Sequence, residues 1–369
     1  MTYKIAMGSR VRKSPFFDAT IKHGVTHFTV YNHMFMPTSY GDPDIEYKAL
    51  TERVSLWDVA CQRQIEVIGP DAAKLLNYLI SRSVDSYPVG KARYTPICDH
   101  KGILLNDPIT LRLDDDRFWI SIADGDLEWW IRASAVERGL DCEVFEPDVS
   151  PLAVQGPRAE DTVANLFGDW IREIGFFCFT QTELDGIPVV ICRSGWSGQG
   201  GFELFLIGNS RAVEFWERVW EAGVPYGIHP GAPNPSERIE SSLLSYRGDC
   251  AGLATPLELG LGRFLELDRR EEFVGKAALL AEREHGSVRK LVKVTLSGER
   301  LTNPSEEPWM ALGPSGKTVG QVRVAVWSPV LNKNLALALV DIETAGKAFD
   351  VVTPEGVEFA AEHFSFFGD

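Results

Sequence analysis

The sequence lacks most of the motifs by which common chemistries announce themselves. It has no paired-cysteine motif, no HExxH-type cluster and no phosphate-binding glycine loop ahead of a helix. Its six cysteines (Cys61, Cys98, Cys142, Cys178, Cys192 and Cys250) are scattered, several in apolar strand-like contexts, and are expected to be reduced core thiols. His23, His27 and His33 lie near one another without ligand spacing, so no metal site is expected. The glycines at 198–201 fall between two apolar runs instead of opening a helix, and Gly260 and Gly262 have no third glycine, which excludes the dinucleotide fingerprint. Ser197 does not sit in the strained elbow of an α/β-hydrolase. Positive charge is scarce: 37 basic against 52 acidic residues leave −15. Nucleic acid and anionic membrane are therefore excluded as main partners. No apolar run approaches the ~18 residues of a membrane span, and residues 1–7 hold no apolar signal core, so a cytoplasmic chain is expected.

What the sequence does have is concentrated in one stretch, RSGWSGQGGFE at 193–203. An apolar strand over 188–192 leads into it and another over 202–207 leaves it. Gly195, Gly198, Gly200 and Gly201 are expensive in backbone entropy and mark a loop that something approaches closely. Trp196 offers a flat face, and Glu203 offers a carboxylate on the exit strand. A flat ligand with donors along its edge suits that pair; an ordinary glycine-rich hairpin with a surface tryptophan is the plainer alternative.

Periodicity gives the architecture. A strand ending at Gly69-Pro70 is followed by a helical pattern with Ala72, Leu75, Leu76, Leu79 and Ile80 on one face. The same strand, Gly-Pro and helix recur at Gly156-Pro157 with Ala159, Val163, Leu166 and Phe167, as in a duplicated α+β unit. The run Asp114 to Asp116 reads as a hairpin turn. Ser210 is placed to cap a helix stopping at Gly223, and Asn234, Pro235 and Glu237 compose a capping box for a helix reaching Leu244. After a polar break near residue 285, five short runs (290–296, 319–327, 335–341, 348–352 and 357–365) predict a small antiparallel barrel. The expected domains are 1–284 and 285–369, in an α+β fold with helices packed on antiparallel sheets.

Five segments in this order, KARYT (91–95), GILLND (102–107), LAVQGP (152–157), the 193–203 loop and FVGK (273–276), resemble the tetrahydrofolate-dependent aminomethyltransferase family typified by the glycine cleavage T-protein. The resemblance covers almost the whole chain. Within the family, YNHM (31–34), WDV (57–59), SPLAVQGP (150–157), the tryptophan in the glycine loop and LLSY (243–246) resemble the branch that demethylates dimethylsulfoniopropionate. The resemblance implies three subdomains around a central folate channel, the last of them the barrel. It implies tetrahydrofolate as methyl acceptor, held by Glu203 at the pterin edge, with Tyr94 beside it and Asp107 near N5. Asn106 stands where the T-protein pattern carries a first aspartate. Together with Pro108 and Gln199 it weakens the case for aminomethyl chemistry.

A methyl group on a sulfonium or quaternary ammonium already has a neutral leaving group, so positioning and water exclusion suffice to move it. Aromatic faces bind such a cation, each at about 0.5–2 kcal/mol. The candidates are Trp196, Tyr31 and Trp170, although core packing explains the last two equally well. Asp107 is expected to take the proton released from N5. His33, Arg63, Arg247, Ser245 and Tyr246 are candidates to meet a substrate carboxylate, with His33 carried forward. Neither metal nor flavin is expected, and a monomer or homodimer acting on a small onium substrate and folate is. The alternatives are T-protein-like aminomethyl transfer, demethylation of another methylated amine or a methoxylated compound, and a folate-binding sensor without catalysis.

Overall fold

Along Gly201–Ile207 the two-residue period of a strand sends Phe202, Leu204 and Leu206 to one face and Glu203 and Phe205 to the other. That alternation organises the first of two compact units in a computed structural model describing residues 8–364. Residues 1–7, read above for a signal core, and Ser365, at the end of the last expected strand, lie outside the described residues. The first unit takes in the chain to residue 70, 88–93 and 109–234; the second takes in 71–87, 94–108 and the chain from 235.

The first unit is built on a six-stranded sheet. Its order is Phe179–Leu184, Ile187–Cys192, Gly201–Ile207, Val149–Gln155, Val54–Asp58 and Ile228–Gly231. Neighbours run antiparallel except the last pair, which is parallel. On one face Leu56, Val154 and Leu204 pack with Val163 of the helix Ala159–Phe167 and with Phe215 and Trp216 of the helix Ala212–Gly223. On the other, Val190 and Phe205 meet Leu111 and Trp119. Those two side chains come from a second sheet containing Gln64–Ile68, Ile109–Arg112 and Arg117–Ser121. The latter two strands pair antiparallel across the Asp114 to Asp116 turn, as expected. Layering a sheet between helices and another sheet buries both of its faces, which is why all seven residues of Val149–Gln155 are buried.

The second unit holds the helices Ala72–Leu79, Pro235–Glu240 and Lys276–His285 and a closed six-stranded barrel from Arg289 to Phe364. The strand Arg289–Leu296 pairs with both Lys333–Asp341 and Glu358–Phe364, which closes the cylinder. Val292, Val294 and Leu296 alternate inward against Ala336, Ala338 and Val340; small residues facing large ones fit a narrow interior. The α+β class with its C-terminal antiparallel barrel stands as expected.

Two helix ends depart from expectation for tertiary reasons. A 3₁₀ turn, Asn209–Arg211, precedes Ala212–Gly223, and Ser210 makes no cap bond; Asp148 instead accepts the Asn209 amide at 3.1 Å. The second helix stops at Glu240, short of Leu244. Lys293 Nζ from the barrel donates to the carbonyls of Ile239 and Glu240 at 3.4 and 3.3 Å, and Ser242 turns left-handed at φ 58°. Glu237 receives the Ser241 hydroxyl at 2.6 Å. All six cysteines are free thiols, and no described helix is long and apolar enough to cross a membrane.

Asp58 ends its strand fully buried, and among the described residues its side chain accepts hydrogen bonds from the Ser14 hydroxyl and the Ala60 amide. Burial pushes its carboxyl up to about 6 from an ordinary 3.8. Between those values the unfolded chain ionises while the folded chain keeps its proton, so stability falls as pH rises through this window, by on the order of 3 kcal/mol. Asp58→Asn should flatten that fall. Urea midpoints of both proteins at intervals across this window test it; equal pH dependence would show that Asp58 is not the group responsible.

Candidate active site

The glycine loop and its carboxylate belong to the first unit. Register places Glu203 opposite Cys192 on one side and Ala153 on the other, and Ala153 opposite Trp57. One sheet face thus carries a row of Cys192, Glu203, Ala153 and Trp57. Glu203 is 5% exposed. Its Oε2 accepts the Ser194 hydroxyl, and its Oε1 meets no donor among the described residues. Burial raises its pKa, and the Ser194 bond opposes that rise without cancelling it. A carboxylate oxygen with no protein donor, on a side chain otherwise buried, fits an incoming ligand edge bearing N–H groups. Trp196 sits half-buried in the loop beside it. A cleft of about 490 Å³ opens along the loop, lined by Gln155, Phe176, Arg193, Ser194, Gly195, Gly200 and Gly201 among others. Glu203 and Trp196 lie outside its lining.

The second unit pairs two of the expected residues directly. Tyr94 Oη donates to Asp107 Oδ2 at 2.8 Å, and the Tyr94 ring meets Phe264 edge-on at 4.8 Å. Asp107 follows the short strand Leu104–Asn106, where the Asn106 side chain is fully buried. Burial pushes the Asp107 carboxyl up to about 7; the Tyr94 bond and its own amide pull it back, and the Asp249 carboxylate adds to the rise. Near neutral pH this group both holds and accepts a proton, the range suited to acid–base work. Asp249 is in turn fixed by Arg238 at 2.9 and 3.0 Å and by the Ser245 amide at 2.7 Å. Arg323 from the barrel donates to the carbonyls of Asp249 and Gly248 at 3.1 and 3.3 Å. Together these bonds hold the turn Tyr246–Cys250. Burial and the Asp107 charge push the Cys250 thiol far up, so it stays protonated and donates to the Tyr246 carbonyl at 3.4 Å.

The remaining candidates are less central. Tyr31 ends a hairpin strand and packs against the main core. His33 occupies the hairpin turn, 60% exposed in its side chain, with Nε2 2.8 Å from Asp126 Oδ1. Trp170 is 41% exposed and donates its indole N–H to the Phe167 carbonyl at 2.6 Å, a helix-end contact. Arg63 is committed to Glu146 at 2.6 and 2.9 Å. Among the described residues no group of His, Cys, Asp and Glu could hold a metal ion. Spacing alone singles out neither Gln155 and Ser194, which brace the loop, nor Arg238 and Asp249; in each case the partners meet only through the fold.

Residues 16–269 match the GCVT N-terminal domain, and residues 289–365 match the glycine cleavage T-protein C-terminal barrel domain. The chain belongs to the glycine cleavage T-protein family. Members of this family are tetrahydrofolate-dependent enzymes that transfer one-carbon groups, and this chain is an enzyme of that class. It is 41% identical over 350 residues to dimethylsulfoniopropionate demethylase DmdA of Ruegeria pomeroyi, covering 94% of this chain and 95% of the relative. It is 33% identical over 325 residues to an aminomethyltransferase of Desulfitobacterium hafniense, covering 86% and 87%. The crystal structure of glycine cleavage system aminomethyltransferase T from Bartonella henselae superposes with a TM-score of 0.86 at 22% identity over 97% of this chain and 98% of that one, the same fold.

Removing the phenol beside Asp107 tests the proton reading directly. Tyr94→Phe should move the Asp107 midpoint above about 7, by about one pH unit for a bond worth a little over 1 kcal/mol. The carboxyl infrared band, assigned by its loss in Asp107→Asn, reports the midpoint. No movement would show that Tyr94 does not govern that carboxyl.

Proposed function

We propose that this enzyme moves a methyl group from the sulfonium of dimethylsulfoniopropionate to N5 of tetrahydrofolate, giving methylmercaptopropionate and 5-methyltetrahydrofolate. The observation that carries the reading is the 41% identity, over nearly the whole of both chains, to the Ruegeria pomeroyi demethylase. The buried amide of Asn106, where aminomethyl transfer in the T-protein pattern carries an aspartate, supports it.

Tetrahydrofolate supplies the nucleophilic nitrogen. The chain supplies position, dryness and a place for one proton. Glu203 accepts N–H groups from the pterin edge at Oε1 while Ser194 holds its other oxygen. Trp196 offers its ring to the sulfonium, whose charge is lost as the methyl leaves and the sulfur becomes a neutral thioether. A site that water does not enter favours that loss. Asp107, ionised in part near neutral pH, receives the proton that the newly methylated nitrogen gives up.

Incubation with tetrahydrofolate and a panel of onium compounds, followed by mass detection of folate products, tests the reading. Dimethylsulfoniopropionate should yield 5-methyltetrahydrofolate. Methylene-tetrahydrofolate with ammonia would replace the proposal with aminomethyl transfer, 5-methyltetrahydrofolate from a methylated amine or methoxylated compound alone would change the donor, and binding without product would indicate a folate sensor.

Two variants test the residue assignments. Glu203→Ala should weaken tetrahydrofolate binding about tenfold or more, since each charge-assisted bond is worth about 1.5–3 kcal/mol, while the protein stays folded. Unchanged affinity by titration would remove Glu203 from the pterin site. At Trp196, substrate affinity should fall in the order Trp, Phe, Leu for the sulfonium and stay nearly level for the neutral thioether analogue. Equal losses for both ligands, with thermal stability tracking side-chain volume, would make Trp196 a packing residue.

A further inference from the structure

Gln155 is wholly buried at the end of Val149–Gln155, one register row from Glu203 on the same sheet face. Its strand partners are Gly201 on one side and Ser55 on the other. Its amide nitrogen lies 3.3, 3.2 and 3.4 Å from the carbonyl oxygens of Val154, Ser194 and Phe202, so two N–H bonds are shared among three acceptors. Its Oε1 accepts the Ser197 hydroxyl at 2.7 Å. One carboxamide thus grips the loop at Ser194 and at Ser197, the two residues that flank Gly195 and Trp196.

The same contact explains two of the loop glycines. A Cβ on Gly195 would stand 2.2 Å from the Gln155 amide, and one on Gly201 would stand 2.6 Å from its nitrogen and 2.3 Å from the Val154 carbonyl. Both also have positive φ, at 156° and 150°. The loop lies flat on the glutamine because it has no side chains there to hold it off.

We propose that Gln155 is a positioning residue for folate. By holding the Ser194 carbonyl it aims the Ser194 hydroxyl at Glu203, and so sets which oxygen of Glu203 remains for the pterin. This rests on the folate reading of Glu203. The role needs a donor at one end of the side chain and an acceptor at the other. A leucine keeps the bulk and loses both, whereas a glutamate keeps the acceptor and, when ionised, turns a charge on three carbonyl oxygens.

Gln155→Leu and Gln155→Glu in the full chain separate positioning from packing. In Gln155→Leu the KM for tetrahydrofolate should rise about tenfold or more, with kcat at saturating folate held within about threefold. Amide hydrogen exchange over 193–203 should quicken even without folate. In Gln155→Glu the affinity relative to wild type should be nearly normal at about pH 5.5, where a buried acid keeps its proton and donates, and should be lost progressively toward about pH 8.5. A ratio to wild type that does not change with pH, or exchange over 193–203 left at the wild-type rate, would overturn the proposal and leave Gln155 a packing residue. Should wild type bind no tetrahydrofolate, the folate reading falls with that result, and the exchange rates alone decide whether Gln155 holds the loop.

Discussion

A carboxylate taken out of water needs donors, and Glu203 is given one. The Ser194 hydroxyl answers half of it, and much of the first unit serves to keep the arrangement in place. The strand period sets Glu203 on the inner sheet face, the register aligns it with Ala153 and Trp57, and the glycine loop folds back far enough for Ser194 to reach. Asp107 is treated alike in the second unit, with a single phenol as side-chain donor. Each carboxyl keeps a raised pKa because burial outweighs the few donors the protein gives it. Under-solvated acceptors of this kind are destabilising by themselves and are found where a ligand completes them.

The two carboxyls are placed for different work by their surroundings. Glu203 lies among Cys192, Ala153 and Trp57, with no second charge in its row, and suits steady recognition of a polar edge. Burial first, and the Asp249 carboxylate after it, hold the proton affinity of Asp107 near neutrality, and the Asp107 charge in turn pushes up Tyr246 and Cys250. The Arg238–Asp249 pair matters here less for stability than for geometry. A buried ion pair gains little over apolar packing, but it fixes a turn that apolar side chains would leave loose.

Much of this was legible before any fold was known, because strands with one buried face write their period into the sequence. The alternation at 202–207 assigns Glu203 and Phe205 to one face and Leu204 to the other, and the glycine spacing marks the loop. The Tyr94–Asp107 bond was not legible from spacing; only the likeness of KARYT and GILLND to a family brought those residues forward. Local patterns failed where distant residues decide the outcome. The helix from Pro235 reads as continuing to Leu244 until Lys293, more than fifty positions on, takes its last carbonyls. Gln155 is invisible for the same reason: a buried glutamine at a strand end signals nothing until the residues it grips are known.

Lys293 also bears on how such a protein can change over generations. It comes from the barrel, as do Ser328, whose hydroxyl donates to Glu240, and Arg323, which holds the carbonyls beside the Asp249 turn. Three side chains of the C-terminal barrel therefore finish a helix ending at Glu240 and a turn ending at Cys250, although the barrel begins only at Arg289. Exchange for a foreign β-domain of equal size and stability would strip those carbonyls of their donors and slacken the turn beside Asp107. A swap that keeps these contacts must therefore carry the segment 235–250 along with the barrel.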